Sequence, residues 1–269
     1  MPDSPCGPQC LPPRDSDTEV GRLRVVLRLS ATVVLLVTGC LLVPALPAAL
    51  RRQAVPQWFR ALLRALGIRL VVEGRMAPGG ALVVCNHVSW LDVAAMQVLA
   101  PMRLLAKIEV RSWPVLGVLA GRIGTVYIDR DRLSALPEAV RTIAEELRSG
   151  AVVGVFPEGT TWCGNAAGRF RPAVFQAALD AGVRVQPIAV RFRDGAGRLT
   201  TAPAFLGEAT LAASVLSVAR MRDLAVELVV LPELTGTDRG RLAEQAQHAI
   251  TGATGARLGH DRPRAAVAA

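Results

Sequence analysis

Ala81-Leu82-Val83-Val84-Cys85-Asn86-His87-Val88-Ser89-Trp90-Leu91-Asp92 is the stretch on which the reading of this chain turns. The unbroken apolar run at its start, with two β-branched valines inside, predicts a buried strand. Ser89 is a good helix N-cap, so a helix begins beside it. The same alternation continues along the chain. Short β-branched runs predict strands over 68–73, 81–85, 103–108, 125–129, 151–156, 185–190 and 225–231. Helices are expected over 91–99, 113–120, 137–148, 172–181 and 239–250, with Gly150 as the stop signal after the third. Such a series means an α/β fold, in which a mixed, mostly buried sheet is flanked by helices. Residues 195–222 carry no decisive pattern, and no internal repeat is visible.

Upstream the chemistry changes. Residues 1–21 are rich in proline and acidic groups and are expected to form a disordered tail. Arg22, Arg24 and Arg28 follow, then residues 29–50 carry no charge, and Arg51 and Arg52 close the run. That run has the length of a membrane span, but Pro44 and Pro47 interrupt it. Only 29–43 reads as unbroken helix, which at ~1.5 Å per residue is shorter than a ~30 Å hydrocarbon core. Trp58, Phe59, Leu62, Leu63 and Leu66, with Arg60 and Arg64 between them, have the spacing of a basic amphipathic helix. Residues 22–67 are therefore expected to be a helical hairpin inserted in one leaflet with both ends cytoplasmic. A simple spanning helix is the alternative, and arginines at both flanks leave the orientation open. A secretory signal is disfavoured because the basic region starts late and no polar mature start follows. The α/β domain is expected over 68–254, and residues 255–269 look like a second frayed tail.

Composition limits the partners. The 269 residues are 51% hydrophobic and 20% charged, too charged for a polytopic transporter and too apolar for an ordinary soluble domain. Lys+Arg total 31 against 22 Asp+Glu, a net charge of +9 that favours an anionic lipid surface or nucleic acid. Aromatics are only 4%, leaving few platforms for stacked bases, so no nucleic-acid partner is expected. Every basic side chain but Lys107 is arginine. Cys40 and Cys85 lie in apolar runs and read as small hydrophobes. Cys6 and Cys10 sit in the proline-rich tail without the histidines or the four convergent ligands of a metal site. Nothing implies a disulfide framework, which fits a reducing compartment.

Three motifs stand at predicted strand ends. In the first, His87 precedes the cap and Asp92 falls in the first helical turn. Five helical steps alone would rotate the two about 140° apart. A turn ahead of the cap can bring the carboxylate to imidazole Nδ1, leaving Nε2 as a base. Backbone N–H groups at the helix start are candidate oxyanion donors. No Gly-x-Ser-x-Gly elbow supplies a protein nucleophile, so a substrate hydroxyl is the natural target of such a base. The second motif is Phe156-Pro157-Glu158-Gly159-Thr160-Thr161, and the third is Gly124-Thr125-Val126-Tyr127-Ile128-Asp129-Arg130, whose arginine can fork onto a phosphate. Singly, each has a plain reading as a cap, a turn or a solvated charge run.

Together and in this order, the motifs resemble the glycerolipid acyltransferase family typified by 1-acylglycerol-3-phosphate acyltransferase. The resemblance runs from about residue 70 to 190 and takes in Lys107-Ile108-Glu109, Trp113-Pro114, Gly117 and Val185-Gln186-Pro187-Ile188-Ala189-Val190. It implies a catalytic pair His87 and Asp92, with Lys107 and Arg130 on the acceptor phosphate and Glu158, Gly159 and Thr160 at its glycerol site. It implies a fatty acyl group passing from acyl-CoA or acyl-carrier protein to a lysophospholipid hydroxyl, at the cytoplasmic face of the cell membrane, with no metal and no other cofactor. Many members follow Glu-Gly-Thr with Arg-Ser where this chain has Thr161-Trp162. That departure is closer to the branch that acylates lyso-ornithine lipids. Rival readings are a thioester hydrolase and a non-catalytic basic protein of the membrane surface.

Overall fold

The computed structural model describes residues 4–13, 18–108, 121, 125–128 and 136–259. Seven strands form one sheet: β1 (Arg69–Glu73), β2 (Ala81–Cys85), β3 (Arg103–Lys107), β4 (Val126–Ile128), β5 (Val152–Val155), β7 (Val185–Arg193) and β8 (Ala225–Val230). Their order across the sheet is β1-β8-β7-β2-β5-β3-β4, and only β7 and β8 run antiparallel. The helices are α1 (Arg22–Leu42), α2 (Ala48–Ala65), α3 (Trp90–Leu99), α4 (Leu136–Arg148), α5 (Phe175–Ala181), α6 (Leu211–Arg220) and α7 (Arg239–Thr254). A two-residue strand β6 (Ala166–Ala167) pairs with β9 (Arg257–Leu258).

The sheet is covered on both faces, as its apolar strands require. Alternate residues of β2 serve the two sides. Val83 and Cys85 join the core under α2, α3 and α6, while Leu82 and Val84 join the core under α4, α5 and α7. Complete burial pushes the Cys85 thiol well above its ordinary range, because desolvation penalises the thiolate, with Asp92 and Glu158 adding to the effect. Cys85 is thus the small hydrophobe expected of it. At the antiparallel seam, Arg191 and Arg193 donate to the two oxygens of Glu227, at 2.6 and 2.7 Å. This ion pair carries β7 three residues past its expected end.

The N-terminal helices do form a hairpin. α1 and α2 are antiparallel: Trp58 Nε1 donates to Leu35 O at 2.8 Å, and Gly39 leaves the space in which the Trp58 ring lies. α1 is longer than expected, since it begins at Arg22 rather than near residue 29. Tertiary contact explains this. The Arg28 guanidinium donates to Ala219 O and Met221 O at 3.0 and 2.7 Å, so a charge that seemed to close off the apolar run is satisfied by the domain. At ~1.5 Å per residue the helix is about 31 Å long. It is the one described helix long and apolar enough to cross a membrane.

A boundary at residue 67 does not match the packing. Val55, Phe59, Leu62 and Leu63 of α2, and Leu66 at its C-cap, are buried in the domain core, so α2 is part of the α/β unit. The two expected tails also differ where they are described. Cys6 and Val20 are buried, Thr201 Oγ1 donates to Cys10 O, and Arg257–Leu258 extend the small sheet beside Trp162. Residues 195–222 hold α6, which Thr210 caps by accepting from Ala213 N at 3.2 Å. The helix expected over 113–120 lies outside the described residues.

Candidate active site

β2 and β5 are parallel neighbours in register, Val84 opposite Val155. The loops that leave their carboxyl ends therefore emerge side by side, where ligands of α/β sheets usually bind. One loop carries His87 and the other carries Glu158.

Asn86 anchors the first loop. Its side chain donates to Val190 O at 2.9 Å and accepts from Val190 N at 2.8 Å, tying the end of β2 to β7. Ser89 caps α3, and Asp92 completes a capping box. Asp92 is fully buried, and its Oδ2 accepts from Val88 N at 2.7 Å, from Ser89 N at 2.8 Å and faces His87 Nδ1 at 2.9 Å. The turn ahead of the cap thus closes the rotation that straight helix geometry would leave. With backbone N–H groups already converging on Oδ2, the imidazole Nδ1 is placed as donor and Nε2 keeps its lone pair. Asp92 Oδ1 has no hydrogen-bond partner among the described residues. The His87 side chain is 22% exposed and lies on the Phe156 ring, with centroids 4.0 Å apart and planes 18° from parallel.

Glu158 has a role that spacing did not reveal. It is 2% exposed, and it reaches back to its neighbours' backbone: Oε2 accepts from His87 N at 2.6 Å and Oε1 from Gly168 N at 2.9 Å. Trp162 N adds a second tie by donating to His87 O at 2.7 Å. The carboxylate is a splint between loops, not a group displayed to solvent. Gly159 takes φ +78, the left-handed conformation that a side chain would strain, and its N–H donates to Phe156 O at 3.1 Å to close the turn. Thr160 follows at the half-buried edge of this turn.

The expectation of oxyanion donors at the start of α3 is narrowed, because most of its N–H groups are already engaged. The N–H groups of His87, Val88, Ser89, Leu91 and Asp92 all have protein acceptors, so the start of α3 has none of these to spare for an oxyanion. The backbone of Lys107 ends β3, opposite Ile128 of β4, at the same sheet edge as His87 and Glu158. Arg130 lies outside the described residues, as do Glu109, Trp113, Pro114, Gly117, Gly124 and Asp129. Phe156, Asn86 and Trp162 stand within or beside the quoted motifs, but spacing gave them no partners, because their contacts reach across the sequence to His87 and Val190.

A family model described as Acyltransferase matches residues 69–191. The chain is similar to the 1-acyl-sn-glycerol-3-phosphate acyltransferase of Neisseria meningitidis, 36% identical over 74% of this chain and 80% of that one. It is similar at 35% to the lyso-ornithine lipid O-acyltransferase of Pseudomonas aeruginosa, over 86% of this chain and 93% of that one. The crystal structure of the 1-acyl-sn-glycerophosphate (LPA) acyltransferase PlsC from Thermotoga maritima superposes with a TM-score of 0.67 at 18% identity. That match covers 87% of this chain and 94% of the other and bears on the fold.

Proposed function

The chain belongs to the glycerolipid acyltransferase family and is an acyltransferase, and from that premise we propose that it transfers a fatty acyl group from acyl-CoA or acyl-carrier protein to the sn-2 hydroxyl of 1-acylglycerol-3-phosphate, giving phosphatidic acid. The observation that carries this reading is the Nδ1–Oδ2 contact of 2.9 Å between His87 and the buried Asp92. His87 Nε2 takes the acceptor hydroxyl proton as that oxygen attacks the thioester carbonyl. Asp92 holds the tautomer and stabilises the imidazolium. The thiolate leaves and is protonated. No metal and no other cofactor takes part, and Lys107 and Arg130 bind the acceptor phosphate.

A second reading, a lyso-ornithine lipid O-acyltransferase, is favoured by one feature. Thr161-Trp162 stands where many members of the family have Arg-Ser. Thr161 Oγ1 donates to Phe205 O and Trp162 is buried, so neither side chain is a substitute phosphate ligand. Offering the purified enzyme both acceptors with one labelled acyl thioester separates the two. Under the first reading phosphatidic acid dominates the product, and a lone ornithine-lipid product overturns it.

Lys107 gives a finer test. A compact ammonium fits a small pocket beside a phosphate, whereas a planar guanidinium does not. Lys107→Arg is expected to raise the KM for a phosphate-bearing acceptor and to leave the donor KM nearly unchanged. Wild-type values for both remove Lys107 from recognition.

The hairpin presents the site to its substrate at the cytoplasmic face of the cell membrane. Both of its open ends lie at the domain: Arg28 bonds to the residues around α6, and α2 leads into β1. Leu23, Val26, Leu27, Val33, Val34, Val37, Leu41 and Leu42 leave an exposed apolar face on α1. Aspartate costs about 2.5–3.5 kcal/mol at the centre of a membrane helix. Val33→Asp with Val37→Asp should therefore move the protein from the membrane pellet to the supernatant while the domain stays folded. A tag ahead of Arg22 should be reachable by protease from the same face as the C-terminus. Accessibility from opposite faces contradicts the hairpin.

A further inference from the structure

We propose that Cys6, Cys10 and Cys163 together hold one thiophilic metal ion, of the Zn²⁺ or Cu⁺ kind, which clips the segment ahead of α1 to the loop that carries Glu158 and Trp162. The sulfurs of these three residues lie within 4.8 Å of one another. Tetrahedral Zn–S bonds of ~2.3 Å place sulfurs about 3.8 Å apart, so the ion needs only a small contraction of the cluster. Cys6 and Cys163 are 9% and 3% exposed, whereas Cys10 is half-buried. The open side at Cys10 leaves room for a water as fourth ligand of Zn²⁺, and Cu⁺ accepts three thiolates alone.

The local backbone is fixed on both sides of the cluster. Gly164 takes φ +92 directly after Cys163, a left-handed turn that sets the course of this loop. On the other strand of the clip, the 3-10 turn Pro8–Cys10 is closed by Cys10 N to Gly7 O at 2.9 Å and is held to the domain by Thr201 Oγ1 on Cys10 O.

The alternative, three small hydrophobes packed together, explains less. Residues 4–10 read Ser-Pro-Cys-Gly-Pro-Gln-Cys and contain no large aliphatic or aromatic side chain. Ordering such a segment on a domain surface costs backbone entropy that its few contacts do little to offset. Metal–thiolate bonds supply the missing term, because binding energy in such sites becomes folding energy. The consequence reaches the reaction centre, since Trp162, next to Cys163, donates to His87 O. On binding, the three thiols release their protons to solvent.

The test uses the full chain purified without chelator. Elemental analysis is expected to find about one Zn or Cu per chain, and the identity of the metal distinguishes the two. After metal removal under reducing conditions, Cd²⁺ titration should give a sulfur-to-metal charge-transfer band that saturates at one equivalent, with Kd about 10⁻⁷ M or tighter. Cys6→Ser, Cys10→Ser and Cys163→Ser should each weaken Cd²⁺ binding by ~10²-fold or more, and Cys40→Ser should not. Cys10→Ser changes the most exposed of the three and keeps the test informative if the buried variants misfold. Three results each overturn the proposal: no stoichiometric metal together with no Cd²⁺ band in the wild type, equal Cd²⁺ binding in wild type and Cys10→Ser, or a disulfide between two of the three cysteines in the freshly isolated chain.

Discussion

His87→Ala loses at least ~10²-fold in the rate of acyl transfer, the lower end of what a positioned general base supplies, while its thermal unfolding midpoint stays within about 3 °C of wild type. The two halves of this expectation have separate causes. The imidazole is partly exposed, and its loss leaves Asp92 Oδ2 with the N–H groups of Val88 and Ser89, so the capping box survives. The proton of the acceptor hydroxyl then has no protein base at the Nε2 position. Asp92→Asn should be impaired about as strongly, but with a loss of stability as well. An asparagine that keeps its oxygen toward the three donors puts its NH₂ at the buried Oδ1 position, where the new donor is cut off from water. The imidazolium formed during transfer also loses its counter-charge. Steady-state rates with a defined lysophospholipid and an unfolding curve for each variant check both halves. A His87→Ala enzyme with near-normal turnover removes His87 from the mechanism.

Glu158→Gln separates two roles for the second motif. A substrate ligand, lost, raises the acceptor KM and leaves folding alone. A splint, lost, lowers kcat and stability together. The structure favours the splint, because both carboxylate oxygens accept backbone N–H groups, from His87 and Gly168. Glutamine keeps only one acceptor and turns a donor toward the other N–H. Leaving such a buried group unpaired costs about 1–3 kcal/mol, and at about 2–4 °C per kcal/mol the midpoint falls by several degrees. A displacement of His87 by ~1 Å is enough for about a 10²-fold fall in kcat. A raised acceptor KM with kcat and midpoint unchanged returns Glu158 to the substrate.

The sheet was legible because its strands are apolar on both faces. The run 81–85 matches β2 to the residue, and Ser89 marked the start of α3 within one position. His87 and Asp92 were legible because one local turn and one cap place both. What spacing could not show is contact between distant segments. The splinting by Glu158 crosses 71 positions, and the Asn86–Val190 tie crosses 104. Arg28 looked like the basic flank of a membrane run, yet it donates to the carbonyls of Ala219 at the end of α6 and Met221 just beyond it. α6 itself had a local signal in Thr210, its N-cap. Cys6 and Cys10 seemed to lack partners because the third thiol, Cys163, stands far along the sequence.

One partial reaction bears most directly on acyl transfer by a base without a protein nucleophile. The purified enzyme is mixed with a labelled acyl thioester, first without acceptor and then with 1-acylglycerol-3-phosphate, and thiol release, lipid product and the intact mass of the protein are followed together. Direct transfer through His87 predicts no acylated protein and only background thiol release without acceptor, then phosphatidic acid and free thiol in equal amounts once it is added. An acyl adduct on the protein, or thiol release that ignores the acceptor, contradicts it.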